Sequence, residues 1–208
     1  MRYKEGTILN ITNGQGYLFT AELRSVTPKQ CIAIIKEYTL TPALTYQLHM
    51  AIAPTKSNDR FEWFLEKATE IGIHKITPII CDHSERKAIK PERYEKIIES
   101  AMKQSLKAYK PILAPQVSFS EFMKQSKGIN ATKCIAHCQE SVKVSLNSMV
   151  QPEEDIVMLI GPEGDFSYKE IELAVANSFN EISLGGSRLR TETAAIVACT
   201  HVSLCNMK

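Results

Sequence analysis

The first part of the chain has the hydrophobic pattern of β-strands. Short, mostly apolar runs follow one another at residues 7–12, 16–23 and 31–38. Between the first two runs lies the pair Asn13-Gly14, which is a strong signal for a hairpin turn because both residues tolerate a left-handed backbone. The sequence therefore predicts a small β-rich domain, which we bound at residues 1–44.

From residue 45 onward, strand patterns alternate with helical patterns. The predicted strands lie at 46–53, 74–81, 133–137, 156–160 and 181–184. The predicted helices lie at 59–71, 91–107, 167–179 and 191–206. Alternation of this kind is typical of an α/β fold with a mostly parallel sheet. We therefore expect a second, α/β domain over residues 45–208.

Several predicted helix ends have local signals. Ser167 and Glu170 have the spacing of a capping box, in which two side chains satisfy backbone N–H groups of the first turn. Pro91 suits the first position of a helix, where the backbone N–H has no acceptor within the helix and its absence costs no bond. Gly72 is well placed to end the helix that precedes it. These signals support the helix assignments independently of hydrophobic periodicity.

Composition is ordinary, but the charge is uneven. Apolar residues make up 44% of the 208 residues and charged residues 23%, which is typical of a globular protein. The net charge is only +2, yet the segment 84–110 has eight Lys or Arg against four Glu. Such a segment can contact nucleic-acid phosphates. The alternative is a solvated helix face with ion pairs, and charge alone does not decide between them.

Cysteine usage predicts neither disulfides nor a metal site. The six cysteines include no CxxC pair, and Cys134, His137 and Cys138 lack a second ligand pair at zinc-site spacing. No apolar run approaches the length of a membrane span. We therefore expect no metal, no membrane contact and a reducing, cytoplasmic location.

Two glycine-containing loops are the candidates for ligand binding. The first, 161–167, follows the apolar strand 156–160, and the second, 183–195, leads into the last predicted helix. In an open α/β sheet, ligands bind at the carboxyl ends of strands, and glycine allows close approach of the backbone. Neither loop matches a Walker or a dinucleotide motif. Taken singly, each could be only a tight turn, but two of them at neighbouring strand ends favour a binding site.

These loops also resemble a known family. The stretches LIGPEGDFSYKEIELA and ISLGGSRLRTETAAIVA resemble the RsmE family of 16S rRNA uridine-N3 methyltransferases, within the SPOUT superfamily. Upstream, KSNDRFEWFLEKATEIGIHKITPIICDHSERK and PERYEKIIESAMKQSLKAYKPILAP are similar too. The resemblance covers nearly the whole chain in order.

The resemblance implies a specific architecture. It implies a PUA-like β-barrel at the N-terminus, a SPOUT methyltransferase domain with a trefoil knot, S-adenosylmethionine (SAM) bound in bent form, and a homodimer. The family has further residues before the segment that resembles 1–6, so the barrel is expected to be N-terminally incomplete. The chain also departs from the family pattern at Asp165, where Gly is frequent, and at Ser187 and Lys107, where a basic residue and Arg are common.

Site residues follow from the same resemblance and from the loops. We expect the cofactor to be framed by Ile160, Gly161, Pro162, Glu163, Gly164, Leu184, Gly185, Ser187, Leu189 and Thr191. Arg190 is the expected catalytic cation, and Glu163 or Glu192 the proton acceptor. The expected partner is 16S rRNA in the small ribosomal subunit, with RNA contacts from Arg2, Arg86, Lys87, Arg93, Lys103 and Lys107.

Three alternatives stay open at this point. One is an RNA-binding protein of the same fold without catalysis. Another is a SPOUT enzyme that methylates a different nucleotide or a ribose 2′-OH. The third is an unrelated nucleotide-binding α/β enzyme. Independently, the last helix is apolar almost all the way round, more than one buried stripe requires, which favours burial between subunits or within its own domain.

Overall fold

The computed structural model describes residues 3–207, so the RNA contact predicted at Arg2 lies outside the described residues. The chain divides into two compact units. The smaller comprises Met1–Leu44 and Met102–Lys110, and the larger Thr45–Ala101 and Pro111–Lys208. The predicted domains, 1–44 and 45–208, remain a proposal, and the structure groups 102–110 with the first of them.

The smaller unit contains an antiparallel three-stranded sheet of order β1-β2-β3. Its strands are β1 (Ile8–Thr12), β2 (Tyr17–Val26) and β3 (Cys31–Leu40). The predicted hairpin is present, but its connection is longer than two residues: the Asn13 side chain accepts hydrogen bonds from the backbone N–H groups of Gln15 and Tyr17. Gly16 has φ +98°, and a Cβ there would lie 2.5 Å from the Tyr109 hydroxyl, so only glycine fits.

The larger unit contains the predicted parallel sheet, in the order β6-β5-β4-β10-β8-β11-β9, with β7 paired to β5. Its strands are β4 (Leu48–Ile52), β5 (Lys75–Ile80), β6 (Ile112–Leu113), β7 (Val117–Ser118), β8 (Thr132–Ala136), β9 (Val144–Ser145), β10 (Ile156–Ile160) and β11 (Asn180–Ser183). Its helices are α1 (Asn58–Ile71), α2 (Pro91–Gln104), α3 (Phe119–Ser126), α4 (Leu146–Met149), α5 (Tyr168–Ala176) and α6 (Thr191–Cys205), of which α2 ends in the segment grouped with the smaller unit.

The central strands β4 and β10 are buried on both faces because helices cover both sides of the sheet. On β4, Leu48, Met50 and Ile52 belong to a hydrophobic cluster that includes residues of α1 and α6. The alternate residue Ala51 belongs to a second cluster that includes residues of α3 and α5. This two-sided burial explains why these strands are continuous apolar runs rather than alternating ones.

Helix ends agree with the local signals. Ser167 and Glu170 form the predicted capping box at the start of α5. The backbone N–H of Gly72, with φ +129°, donates to the Ala68 carbonyl and ends α1 as predicted. The short elements α3, α4, β6, β7 and β9 were not predicted. They span two to eight residues, too few to establish a period.

The strand order brings three carboxyl ends together. Ile160 at the end of β10 pairs with Ala136 at the end of β8, and Ala136 also pairs with Ile182 of β11. The loops that follow these three strands therefore start at the same level and at one edge of the sheet. The order also inserts β10 between β4 and β8, which both precede it in the chain. Interleaving of this kind is compatible with a knot, and the trefoil knot itself stays a prediction.

Among residues 3–207, no helix combines the length and the apolar character needed to cross a membrane.

A buried histidine on β4 makes stability depend on pH. The Nε2 atom of His49 lies 2.8 Å from the Thr77 hydroxyl, and its ring forms a T-shaped contact with the ring of Phe122. Burial, with smaller contributions from Lys75 and His74, lowers the pKa of His49 from 6.5 to about 4. Because the folded state disfavours the proton, the neutral histidine stabilises the fold above pH 6.5, and this stability is lost as pH falls towards 4.

We therefore expect the free energy of unfolding to fall by about 2 kcal/mol between pH 7.5 and 5 through this one residue. His49→Gln keeps a polar side chain but cannot titrate, so it should lose that part of the pH dependence. Urea unfolding of both proteins across this range measures the difference. Parallel pH profiles would show that His49 is not the titrating group.

Candidate functional site

A cavity of about 410 Å³ lies where β8, β10 and β11 end. Ligand sites for drug-sized molecules have volumes from about 300 Å³ upward, so the cavity suits a ligand of nucleoside size. Its wall contains eight of the predicted cofactor residues: Ile160, Gly161, Pro162, Leu184, Gly185, Ser187, Leu189 and Thr191. The structure thus brings the two glycine-containing loops into one wall.

The first loop is held in place by close packing at its glycines. A Cβ on Gly161 would lie 3.0 Å from the Phe166 ring, and a Cβ on Gly164 would lie 2.9 Å from the Cβ of His83. Both glycines therefore serve close approach within the protein. Gly164 packs on His83 and is not part of the cavity wall described above.

A hydrogen bond joins the two loops. The buried Thr191 hydroxyl, at the first residue of α6, donates to the carbonyl oxygen of Gly161 over 3.0 Å. The N-cap residue of α6 is Arg190, which makes no side-chain capping bond. The Thr191 side chain instead fixes the start of α6 against the end of β10.

The second loop presents its backbone to the cavity. Gly185 has φ +126°, a conformation that other residues rarely adopt, and a Cβ on Gly185 or Gly186 would meet no atom within 4 Å. The space beside both glycines is therefore open to a ligand, whereas the N–H and C=O groups of Gly185 are hydrogen-bonded to the Ser183 hydroxyl. Leu184 and Leu189, on either side, supply apolar surface. Apolar walls with a few backbone polar groups are typical of small-molecule sites.

A third wall was missed by the sequence analysis. It follows β8 and consists of Ala136, His137, Cys138 and Lys143. The segment has no glycine motif, and its histidine and cysteines were weighed only as metal ligands. The signal that could have found it is the strand end itself, since parallel neighbours end at the same edge.

His137 anchors this third wall. Its Nε2 lies 2.7 Å from a carboxylate oxygen of Glu181, which also accepts a hydrogen bond from the Ser141 hydroxyl. Burial, helped by Lys143, lowers the pKa of His137, and the contact with Glu181 opposes this in part. The histidine thus holds the loop after β8 against β11. Within residues 3–207, no group of three or more metal-binding side chains comes together.

Two of the predicted catalytic residues border a smaller hollow of about 250 Å³ beside the cavity. Glu163 and Arg190 line it, together with Pro162, Leu189 and Thr191, which also line the larger cavity. One carboxylate oxygen of Glu163 accepts a hydrogen bond from the backbone N–H of Lys56 over 2.9 Å. The structure therefore places a carboxylate and a guanidinium next to the cavity wall.

Glu192, the third predicted catalytic residue, lies elsewhere. Its side chain is 8% exposed, and its carboxylate lies 3.8 Å from the guanidinium of Arg60. Glu192 lines a second hollow, which is also lined by Trp63 and Arg190. Arg190 therefore borders both hollows, whereas Glu192 and Glu163 are in different ones.

Comparison with known proteins assigns the chain to a family. The profile of the RNA methyltransferase domain matches residues 42–203, and that of the RNA methyltransferase PUA domain matches residues 1–36.

The chain belongs to the RNA methyltransferase family.

Individual relatives agree with this assignment over most of their length. A ribosomal RNA small subunit methyltransferase E of Buchnera aphidicola is 30% identical, with 96% of this chain and 80% of that protein covered. The crystal structure of a probable rRNA-methyltransferase from Porphyromonas gingivalis has a TM-score of 0.92 at 37% identity, covering 99% of this chain and 87% of the other. A ribosomal RNA small subunit methyltransferase E from Neisseria gonorrhoeae, solved bound to SAM, has a TM-score of 0.80 at 27% identity, covering 94% and 82%.

The residues predicted to contact RNA have different environments in this methyltransferase. Arg86 donates hydrogen bonds from its guanidinium to the backbone carbonyls of Thr55 and Lys56, so it holds a loop. Arg93 forms a two-point ion pair with Glu62. Lys87 and Lys103 are exposed, and Lys107 is half-buried. Part of the charge of the basic segment is therefore used within the fold.

Proposed function

We propose that the protein transfers a methyl group from SAM to N3 of a uridine in 16S rRNA of the small ribosomal subunit. The observation that carries the proposal is the cavity built from three strand-end loops, with Arg190 and Glu163 beside it. The relatives named ribosomal RNA small subunit methyltransferase E support the substrate, and the neighbour solved with SAM supports the cofactor.

The cavity suits SAM in both volume and chemistry. The apolar side chains of Ile160, Leu184 and Leu189 can enclose the adenine ring. The backbone of Gly186, which lies beside open space, can hydrogen-bond to its edge. We assign the predicted cofactor residues that line the cavity to this role, with Glu163 and Gly164 as neighbours that shape the first loop. The cofactor supplies a methyl group activated by a positively charged sulfur.

The protein's contribution is alignment and charge. Transfer to N3 requires the uracil base out of the stack and in line with the methyl group. Uracil N3 carries a proton at neutral pH, so a base must accept it, or the negative charge that develops on the ring must be stabilised. We assign stabilisation of the uracil oxygens to the Arg190 guanidinium, which can donate two hydrogen bonds in one plane.

For the proton we favour Glu163 over Glu192. Glu163 lines the same hollow as Arg190, next to the larger cavity. Among the hydrogen bonds described, its carboxylate accepts one, from the backbone N–H of Lys56. Glu192 is buried beside Arg60. To act as proton acceptor, Glu192 would need the uracil base to enter the hollow beside Arg60 and Trp63, so it is the weaker candidate.

We also propose a homodimer and a cytoplasmic location. On the outer side of α6, Ile196 and Val197 are only partly buried within this chain, as expected if a second subunit covers them. Sedimentation at micromolar concentration checks this, since a species of 23.3 kDa would be a monomer. Six cysteines without disulfides fit a reducing compartment, which cell fractionation can verify.

Removing the Arg190 side chain should affect turnover far more than cofactor binding. We expect Arg190→Ala to lower the single-turnover methylation rate of 16S rRNA about a hundredfold or more, on the scale of losing one preorganised donor. SAM affinity should change less than about threefold. Arg190→Lys should recover little, because an ammonium cannot reproduce the planar fork. Mass spectrometry of the RNA identifies the methylated position.

Arg60→Ala is the matched control, because it removes the ion-pair partner of Glu192 without touching the hollow that contains Glu163. It should lower the melting temperature and leave turnover within a few-fold of wild type. Near-normal turnover in folded Arg190→Ala would remove Arg190 from the mechanism. Wild-type protein that binds SAM yet methylates no RNA would favour a non-catalytic RNA-binding protein, and methylation elsewhere would favour a different target.

The basic segment should make RNA affinity depend on salt. Lys103 and Lys107 are the predicted phosphate contacts at its C-terminal end. Replacing both by Ala should reduce the slope of log affinity against log salt by about one to two units, since each phosphate contact releases condensed counterions. The control replaces Lys124 and Lys127, at the end of α3, and should leave the slope unchanged. Equal slopes for both pairs would mean that the segment is a solvated helix face.

A further inference from the structure

Asp165 puts an acidic side chain into the wall of the cavity. Resting on the proposed function, we infer that its carboxylate is the counter-charge for the positively charged end of SAM. Asp165 is the one acidic side chain among the residues described in the cavity wall, where His137, Lys143 and Arg188 are the basic ones. SAM has two cationic groups, the sulfonium and the ammonium, and one carboxylate.

The backbone at Asp165 indicates that the side chain is needed. Its φ is +64°, in the left-handed region where glycine is at ease and other residues are strained, although Asp tolerates it better than most. Glycine would satisfy this turn without strain. The backbone conformation alone would favour glycine at position 165. The presence of a carboxylate there therefore points to a role for its charge.

Hydrogen bonds on both sides aim the carboxylate. One oxygen accepts from the backbone N–H of Cys138 over 2.8 Å, and the other from the N–H of Phe166 over 2.9 Å. Nδ1 of His83 lies 3.0 Å from the Asp165 carbonyl oxygen. Each carboxylate oxygen has a further lone pair for a ligand. The group is thus fixed between the first loop and the third wall, without using all of its acceptor capacity.

The surrounding charges fit the other end of the amino-acid part of the cofactor. Lys143 and Arg188 line the same cavity and can attract its carboxylate. The Lys143 ammonium donates to the Gln139 carbonyl within the third wall, which holds it near His137. The cavity thus has acidic and basic side chains, and these complement the cationic groups and the carboxylate of SAM.

This assignment has a consequence for turnover. Methyl transfer converts the sulfonium into a neutral thioether, so the product S-adenosylhomocysteine has one positive charge fewer than SAM. If the carboxylate faces the sulfonium, its attraction is lost at the moment of reaction. The site then prefers the substrate over the product, which favours exchange of one for the other.

The competing explanation is that Asp165 only ties two loops together through Cys138. The two roles differ in what they do to ligands of different charge. Loss of a structural tie weakens every ligand of the cavity alike. Loss of a counter-charge weakens cationic ligands and spares a neutral one, so a set of probes with graded charge distinguishes them.

The experiment titrates wild type and Asp165→Asn with SAM, S-adenosylhomocysteine and 5′-methylthioadenosine by calorimetry. 5′-Methylthioadenosine keeps the nucleoside and the sulfur but has neither cation. We expect Asp165→Asn to bind SAM about tenfold or more weakly, as for a lost hydrogen bond to a charged group, and 5′-methylthioadenosine within about twofold. Asp165→Gly removes the hydrogen bond to Cys138 together with the charge, so it should also weaken 5′-methylthioadenosine and shows the size of the structural loss.

The S-adenosylhomocysteine titration identifies the cation. If its affinity is kept, the carboxylate faces the sulfonium; if it falls with that of SAM, the carboxylate faces the ammonium. In Asp165→Asn, equal losses for all three ligands would favour a structural role alone and no loss for any would mean no role, and either result would overturn the inference. Failure of the wild type to bind SAM would instead refute the proposed function.

Discussion

The pairing of β10 with β8, and of β8 with β11, is the constraint on which the site depends. Because the strands are parallel and Ile160, Ala136 and Ile182 share one register, three separate loops begin at the same edge of the sheet. Apolar burial on both faces fixes that register, since a shift by one residue would turn each strand's side chains to the opposite helix layer. The cavity is thus a consequence of how the core packs.

Short-range contacts then convert neighbouring loops into one rigid wall. The Thr191 hydroxyl joins the last helix to Gly161, and Asp165 joins the first loop to the third wall at Cys138. His137 and Glu181 join that third wall to β11. Each bond connects segments far apart in the sequence, so a change in one loop should be felt in the others. Rigid walls of this kind keep ligand and reacting groups in line.

Sequence reasoning found what local patterns encode and missed what only topology creates. The two glycine loops, the capping box at Ser167 and the long strands have short-range signals, and all are present. The third wall has none: His137 joins the site because β8 lies between β10 and β11. Likewise, each of the two predicted proton acceptors belongs to one of the two glycine-containing loops. In the fold, however, Glu163 and Glu192 line different hollows. The RNA contact at Arg86 stays a prediction, and the fold adds that its guanidinium donates to the carbonyls of Thr55 and Lys56.

The central claim is that the cavity at these three strand ends holds SAM. The most direct test is calorimetric titration of SAM into wild type, Leu184→Trp and Leu204→Trp. Leu184 lines the cavity and is half-buried, so tryptophan there fills it, whereas Leu204 is exposed on α6 and serves as the control. We predict one site per chain in wild type and Leu204→Trp, and affinity at least about tenfold weaker in folded Leu184→Trp. Unchanged binding by Leu184→Trp, or no binding by wild type, would contradict the account.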